Sequence, residues 1–330
     1  MVQHMFHHFL RWPLLIRILS IAVIVMLTFG VAIHLVEPES YPTLFDGIWW
    51  AIITTSTVGY GDFYPSTVEG RLIAITLIFL GVGFLTTYFV TLATATVTTQ
   101  NAIIEGKAIY KGHDHIVIIG WNARTKDVIN QLKVLDAQQE VTLIDETLEK
   151  NPYTDHRIHF IRGKAFQDSI LEKANVSGAQ KILITADQNK NELYADMNSI
   201  LTLIAVKGIN PNIYTVVEIL TSDQIANAER AGADEVIQTN KQSSYVMMNS
   251  LISQGMSTTI LKLLNYLRGN HLMMLPVTES WENKTFEELS SILLKEKIIL
   301  LGVKTEGSTT VNPPLHTKIQ LHDQLLVISN

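Results

Sequence analysis

Thr57-Val58-Gly59-Tyr60-Gly61-Asp62 is the stretch on which the reading of this chain turns. Its two glycines stand two residues apart, and glycine takes up positive φ without steric cost, so successive carbonyls here can turn to the same side. Working outward, Leu44 to Thr55 reads as a helix of about 12 residues, roughly 18 Å, too short to cross a hydrocarbon core of about 30 Å. Farther out lie two apolar runs. Leu14 to Val36 is interrupted only by Arg17, Ser20, Thr28 and His34, and Leu72 to Ile104 contains no charged residue. A buried helix of a soluble protein would show a polar stripe over such a length. Both runs are expected to span a membrane, with the short helix re-entering between them. Irregular backbone at that depth is tolerated only where protein buries it or water lines it.

The chain has 330 residues, 47% hydrophobic and 17% charged, with no cysteine. Collagen-like, disordered and disulfide-stapled classes are excluded. Residues 1–100 hold only Arg11, Arg17 and Arg71 as bases and Glu37, Glu39, Asp46, Asp62 and Glu69 as acids, so nearly all charge lies farther on. That asymmetry predicts a membrane part followed by a water-soluble part. The formal net charge of -6 argues against a nucleic-acid binder. Arg11 and Arg17 precede the first span, Lys107 and Lys111 follow the second, and the acids crowd the connection between them. Excess Lys and Arg marks the cytoplasmic side, so a multi-pass protein of the cell membrane with both termini inside is expected. A secretory signal is a poor alternative, since no small-residue cleavage site precedes Glu37. His4, His7 and His8 have no Cys, Asp or Glu near them and read as a solvated or interfacial head, not a metal cluster.

TVGYGD between two spans resembles the pore module of tetrameric potassium channels of the two-helix prokaryotic kind, over about residues 14–98. Four TVGYG loops whose carbonyls replace the hydration shell are the standard example of a K⁺ filter. The resemblance implies K⁺ sites on Thr57, Val58, Gly59 and Tyr60, with Gly61 completing the filter and Asp62 at its outer mouth. Thr57 would add its hydroxyl as the innermost ring, while Val58 and Tyr60 pack outward. One chain supplies one filter strand, so a symmetric oligomer is required, and the resemblance implies a homotetramer. The short helix would aim the negative end of its dipole at the cavity. In some relatives a carboxylate four residues before the filter threonine pairs with the aspartate after it. Here that position is Ile53, so Asp62 is expected to lack that partner. Gly81, twenty residues beyond Gly61, stands where the family often has a gating hinge, although Gly81 and Gly83 equally permit close helix packing. Thr86 and Thr87 face the inner cavity or a neighbouring helix.

After a connector at 99–112 the pattern changes to strands alternating with helices, which predicts a parallel sheet covered on both faces. His115–Ile119, Val141–Ile144, Arg157–Ile161, Lys181–Thr185, Ile213–Glu218 and Asp234–Ile237 read as strands of a Rossmann-like domain at 113–240. A dinucleotide site needs a glycine-rich turn after the first strand and an acid ending the second. The acid is Asp145, which serves a ribose or equally caps the short helix after it. The turn Gly120-Trp121-Asn122-Ala123-Arg124-Thr125 keeps only the first glycine of GxGxxG, so a bound nucleotide and an empty cleft both remain open. Arg124 pairs with phosphate or is solvated on a first helical turn.

Joined to such a pore, this domain resembles the regulator of potassium conductance (RCK) module. The matching stretches are Gly120-Trp121-Asn122, Lys173-Ala174-Asn175-Val176 with Gly178-Ala179, and Ala231 to Ile237. The resemblance implies a helical dimerisation and crossover element at 241–270 and a small α+β C-terminal lobe at 271–330, with modules pairing into a gating ring. In calcium-gated relatives three acidic positions hold the metal. Carried over, they fall at Ala186 or Asp187, at Glu218 and at Leu220, so that site is expected to be incomplete. Gly120, Asn122, Arg124, Asp145, Asp187 and Glu218 are the candidate ligand residues, for a nucleotide, a cyclic dinucleotide or a divalent cation. No methionine occurs between Met26 and Met197, so an internal ATG start supplying extra modules is excluded there, while a valine codon such as that of Val97 could serve and the ring stoichiometry stays open. The expectation is a non-enzymatic, ligand-gated K⁺ channel in a lipid bilayer. A membrane-anchored nucleotide-dependent oxidoreductase has no catalytic constellation to offer, and a ligand-binding regulator without selective conduction is the third reading.

Overall fold

The structure is a computed structural model that describes residues 12–267 and 269–329, so His4, His7, His8 and Arg11 lie outside the described residues. It divides into two compact units at Ile103/Ile104.

The first unit contains α1 (Leu14–Val36), α2 (Leu44–Thr55) and α3 (Val68–Ile104), of which α1 and α3 are long and apolar enough to cross a membrane. A reciprocal capping box starts α2: Thr43 Oγ1 accepts from the Asp46 N–H at 3.2 Å, and Asp46 Oδ2 accepts from the Thr43 N–H at 2.9 Å. The α1–α2 contact is backbone on backbone, since a Cβ at Gly47 would lie 2.3 Å from the Gly30 oxygen. Around it packs a small core of Ile33, Tyr41, Trp50, Ala51 and Leu77, with Phe63 stacked on Tyr41. Many apolar side chains of α1 and α3 point away from the chain, as Leu19, Ile24, Ile75 and Phe79 do. That arrangement is costly in water and costs nothing in hydrocarbon. α3 contains no proline, and the connector expected from residue 99 is helical as far as Ile104.

In the second unit, β1 (Ile116–Ile119), β2 (Val141–Asp145), β3 (Ile158–Arg162), β4 (Lys181–Ile184), β5 (Tyr214–Ile219) and β6 (Glu235–Gln238) form one parallel sheet in the order β3-β2-β1-β4-β5-β6. The alternation of strand residues between two cores shows both faces covered: Val117, Ile119, Ile144 and Ile184 lie in one, Ile118, Val141, Leu143 and Phe160 in the other. The helices α4 (Ala123–Leu135), α5 (Asp168–Lys173), α6 (Glu192–Ile209) and α7 (Ile225–Arg230) connect them. Then α8 (Thr239–Ile252) and α9 (Met256–Leu264) lead to a second sheet. This sheet is antiparallel, ordered β7-β10-β8-β9, from β7 (His271–Pro276), β8 (Ile299–Thr305), β9 (Ser308–Val311) and β10 (Gln324–Ser329), with α10 (Phe286–Lys295) on it. Both α10 and β9 are additions to the sequence reading. α10 is announced by a capping box, Thr285 with Glu288.

Candidate functional site

The signature hexapeptide follows directly on α2. Its backbone alternates in hand, with φ of +61° at Thr57, +57° at Gly59 and +75° at Gly61, while Val58 and Tyr60 stay negative. Such alternation turns consecutive peptide oxygens toward one side, the geometry a carbonyl ladder needs. Thr57 takes a left-handed conformation without being glycine, which is a local backbone strain. The Ile53 carbonyl anchors the beginning of the stretch, accepting from Ser56 Oγ at 3.0 Å and from the Val58 and Gly59 N–H groups at 3.2 and 3.3 Å.

Ile53 offers Asp62 nothing, as the sequence indicates, yet Asp62 is held. Trp49 Nε1 donates to its Oδ2 at 2.8 Å and the Phe63 N–H donates to its Oδ1 at 3.1 Å. The Trp49 ring also stacks on Tyr60, centroids 6.3 Å apart, so α2 grips the stretch at two points. Gly81 packs closely: a Cβ there would lie 2.7 Å from the Thr55 side chain, whereas one at Gly83 would meet nothing within 4 Å among the described residues. Sequence reasoning missed Glu37. This 4%-exposed carboxylate accepts from the N–H and hydroxyl groups of both Ser66 and Thr67 at 2.6–3.1 Å, tying the end of α1 to the start of α3. Burial pushes its pKa up, and the four hydrogen bonds more than offset that, holding it low at about 2.

In the second unit a cleft of about 390 Å³ opens at the carboxyl ends of the strands, between β1 and β4, where the strand order reverses. Gly120, Asn122, Asp145 and Asp187 line it together with Lys164 and Lys190. Gly120 has φ +94°, and a Cβ there would lie 2.6 Å from Thr185 Oγ1. Asn122 replaces the second glycine of a dinucleotide turn. Its Oδ1 caps α4 through the Thr125 N–H at 3.0 Å, and its Nδ2 reaches Thr185 Oγ1 at 3.2 Å. Asp145 binds its own loops: Oδ2 accepts from the Trp121 N–H, Oδ1 from the Thr147 N–H and hydroxyl and the Leu148 N–H. One acceptor site on Oδ2 is left for a ribose hydroxyl. The residues therefore fit the nucleoside end of a nucleotide, while the Asn122 side chain stands where glycine lets a pyrophosphate approach the backbone. Lys190 bridges the mouth, 3.4 Å from both Glu146 and Asp187.

Arg124 and Glu218 do not line this cleft and are paired with each other at 2.8 Å. Glu218 is 3% exposed. Its Oε2 also accepts from the Ala186 N–H, and its Oε1 from Thr239 Oγ1, so it is a structural tie between the ends of β4 and β5 and the start of α8. Arg124, read from the sequence either as a phosphate partner or as solvated, stands in this ion pair. Asp196 of α6, fully buried, was not foreseen; it accepts from the N–H groups of Leu220 and Thr221 and the Thr221 hydroxyl.

The family described as "Ion channel" matches residues 21–98, and the TrkA-N domain matches residues 116–239. A Bacillus subtilis protein named "Putative potassium channel protein YugO" is 40% identical over 334 residues, covering 99% of this chain and 99% of that one. The chain belongs to the RCK-bearing potassium channel proteins. A more distant member of this family is the calcium-gated potassium channel TvoK of Thermoplasma volcanium, 25% identical over 86% of this chain and 82% of that one. Among solved structures, the GsuK channel shares the fold at a TM-score of 0.54 and 17% identity, covering 96% of this chain and 57% of that longer one. The GsuK channel bound to NAD gives a TM-score of 0.51 at 16% identity, covering 94% and 56%. In the RCK unit of the present channel protein, Leu220 brings no side-chain oxygen to the carried-over calcium positions, the first of them falls on Ala186 or on Asp187, whose carboxylate lies 3.4 Å from Lys190, and Arg124 engages Glu218.

Proposed function

We propose that this protein is a K⁺-selective channel. Copies of Thr57–Gly61, four in a homotetramer, stack their carbonyls around an axis, and ligand binding to an RCK ring biases the pore between closed and open states. The alternating φ of the hexapeptide carries this reading. An ion leaving water for such a ring exchanges its hydration shell for peptide oxygens, Asp62 supplies negative charge at the outer mouth, and the C-terminal end of α2 favours a cation on the other side. Lys107 and Lys111 after α3 support a cytoplasmic RCK unit, with both chain ends on that side. Gly81 serves as a hinge of α3 if its contact with Thr55 loosens.

The cleft beside Gly120 takes the gating ligand, for which a nucleotide fits better than a divalent cation. Asp145 keeps one acceptor for a ribose hydroxyl, whereas the acids at Glu218 and Asp187 are already engaged by Arg124 and Lys190. A ligand moves the gate only by its differential affinity for the two states. An oxidoreductase reading draws no support from the cleft, whose lining presents no histidine and no cysteine. Flux assays on the full chain in liposomes test the conclusion. K⁺ flux exceeding Na⁺ flux by orders of magnitude supports it, and equal permeation overturns it. Thermal shifts of the full chain with ADP, NAD⁺, cyclic dinucleotides and Ca²⁺ rank the ligands.

A further inference from the structure

The segment that leaves α3 does not hang free. It runs as a strap along β3, the edge strand of the parallel sheet, in the opposite direction. The Asn151 N–H donates to the Ile104 oxygen at 2.7 Å, the Arg162 N–H to the Gly106 oxygen at 2.9 Å, and His159 Nε2 reaches the Ala108 oxygen at 3.4 Å. Gly106 makes this possible, with φ +69° and the Arg162 nitrogen 2.5 Å from where a Cβ would stand. The far end is pinned at Tyr110 and Gly112, by the Tyr110 N–H on the Lys173 oxygen at 2.9 Å and Asn175 Nδ2 on the Gly112 oxygen at 2.7 Å.

The Tyr110 ring is the pin, and it sits between two histidines, with centroids 4.4 Å from His115 and 5.3 Å from His159. Its hydroxyl donates to Glu140. His115 is fully buried. Its Nε2 must donate to the Ala174 carbonyl, 2.9 Å away, which leaves Nδ1 as a buried nitrogen without a hydrogen-bond partner among the described residues. A proton arriving on Nδ1 finds no acceptor, and the charge it brings lies beside an aromatic ring and one carboxylate already engaged by Tyr110. The titratable groups facing this pocket are Tyr110, His113 and Asp114 from the strap side, Glu140 at the start of β2 and His159 on β3, while the end of α5 contributes carbonyls.

We infer that this pocket is a proton-operated latch: protonation of His115 and His159 draws Glu140 off Tyr110 and frees the strap, uncoupling α3 from the RCK unit as the medium around that unit acidifies. The sign follows from linkage. Burial holds both histidines below their ordinary range, so the undocked strap binds more protons, and docking strengthens as pH rises. The latch is engaged above the ordinary histidine range and released as pH falls through and below it.

The test is K⁺ flux through the full chain in liposomes, titrated from about pH 8 to about pH 5 on the RCK side. The expected result is a change of about threefold or more with its inflection below about pH 6.5. The inflection should flatten in the double variant His115→Asn, His159→Gln and persist in His113→Asn. A flat wild-type titration, or an undiminished inflection in the double variant, overturns the latch. If the double variant does not fold, His159→Gln alone, at a half-buried site, takes its place. A second readout, hydrogen exchange of strap amides 105–112 in the wild type, corrected for intrinsic rates, must lose protection over the same range, and constant protection overturns the inference. The latch depends on the proposed conduction only for its flux readout. K⁺ selectivity at about pH 7.5 tests the channel reading separately from the titration.

Discussion

Two glycine-bearing loops in this molecule solve opposite problems. Around Gly120 the chain closes on itself: Thr185 stands against the glycine, Asp145 grips Trp121 from the neighbouring strand, and a cleft of definite volume results. Around Gly59 and Gly61 no described residue beyond the chain neighbours comes within 4 Å of either missing Cβ, and Val58 and Tyr60 are 53% and 68% exposed. Yet both loops hold positive φ at defined positions. One chain thus builds a cleft with walls of its own but, on the proposed channel reading, only one wall of a filter, so perturbing the first should act within a chain and perturbing the second across the proposed assembly.

The sharpest break of that contrast is Gly59→Asp, which places an L residue at φ +57° and a carboxylate on the carbonyl ladder. It should abolish K⁺ over Na⁺ discrimination in flux assays while leaving thermal unfolding of the RCK unit unchanged. Next comes Glu37→Ala, which orphans four donors at the start of α3 and should cost about 2–4 kcal/mol, read as a lower unfolding temperature of the purified channel. Because the Glu37 carboxyl sits at about 2 against an ordinary 4.5, its stabilisation is fully present above about pH 4.5. It should fade as pH falls from there toward 2, and Glu37→Ala should lack that acid limb.

Smaller, and confined to the other unit, Glu218→Gln should destabilise the RCK fold by about 1–3 kcal/mol, discounted for the partial exposure of Arg124, with K⁺ selectivity retained. Smallest is Trp49→Phe, which keeps a ring to stack on Tyr60 and removes the Nε1 donor to Asp62. A loss of about 1 kcal/mol should appear as faster decay of K⁺ flux, with the NAD⁺ or ADP thermal shift untouched.

The contrast also explains how much could be read from the sequence. Spans and parallel strands are local patterns: α1 begins and ends at the residues its hydropathy indicates, and the strands of the parallel sheet lie within a residue or so of their apolar runs, while the hexapeptide is legible as a motif whose filter role is proposed. α10 was equally legible through its Thr285–Glu288 box but sits in a stretch of mixed polarity. The partners were not legible. Arg124 meets Glu218 from 94 positions away, Glu37 meets Thr67 from 30, and Trp49 meets Asp62 across a turn whose path no periodicity records. A glutamate at a strand end and an arginine on a first helical turn look like ligand residues one at a time. Only the fold shows that they neutralise each other.

The strap along β3 has a practical consequence. An edge strand offers a row of unpaired peptide groups to any other chain, and natural sheets cover such edges to avoid self-association. Here the cover is the segment just after α3, with the Gly106 oxygen already accepting from the Arg162 N–H. A soluble fragment cut at residue 113 would strip it away and expose β3 to edge-to-edge aggregation, whereas one begun at Ile104 keeps its own shield.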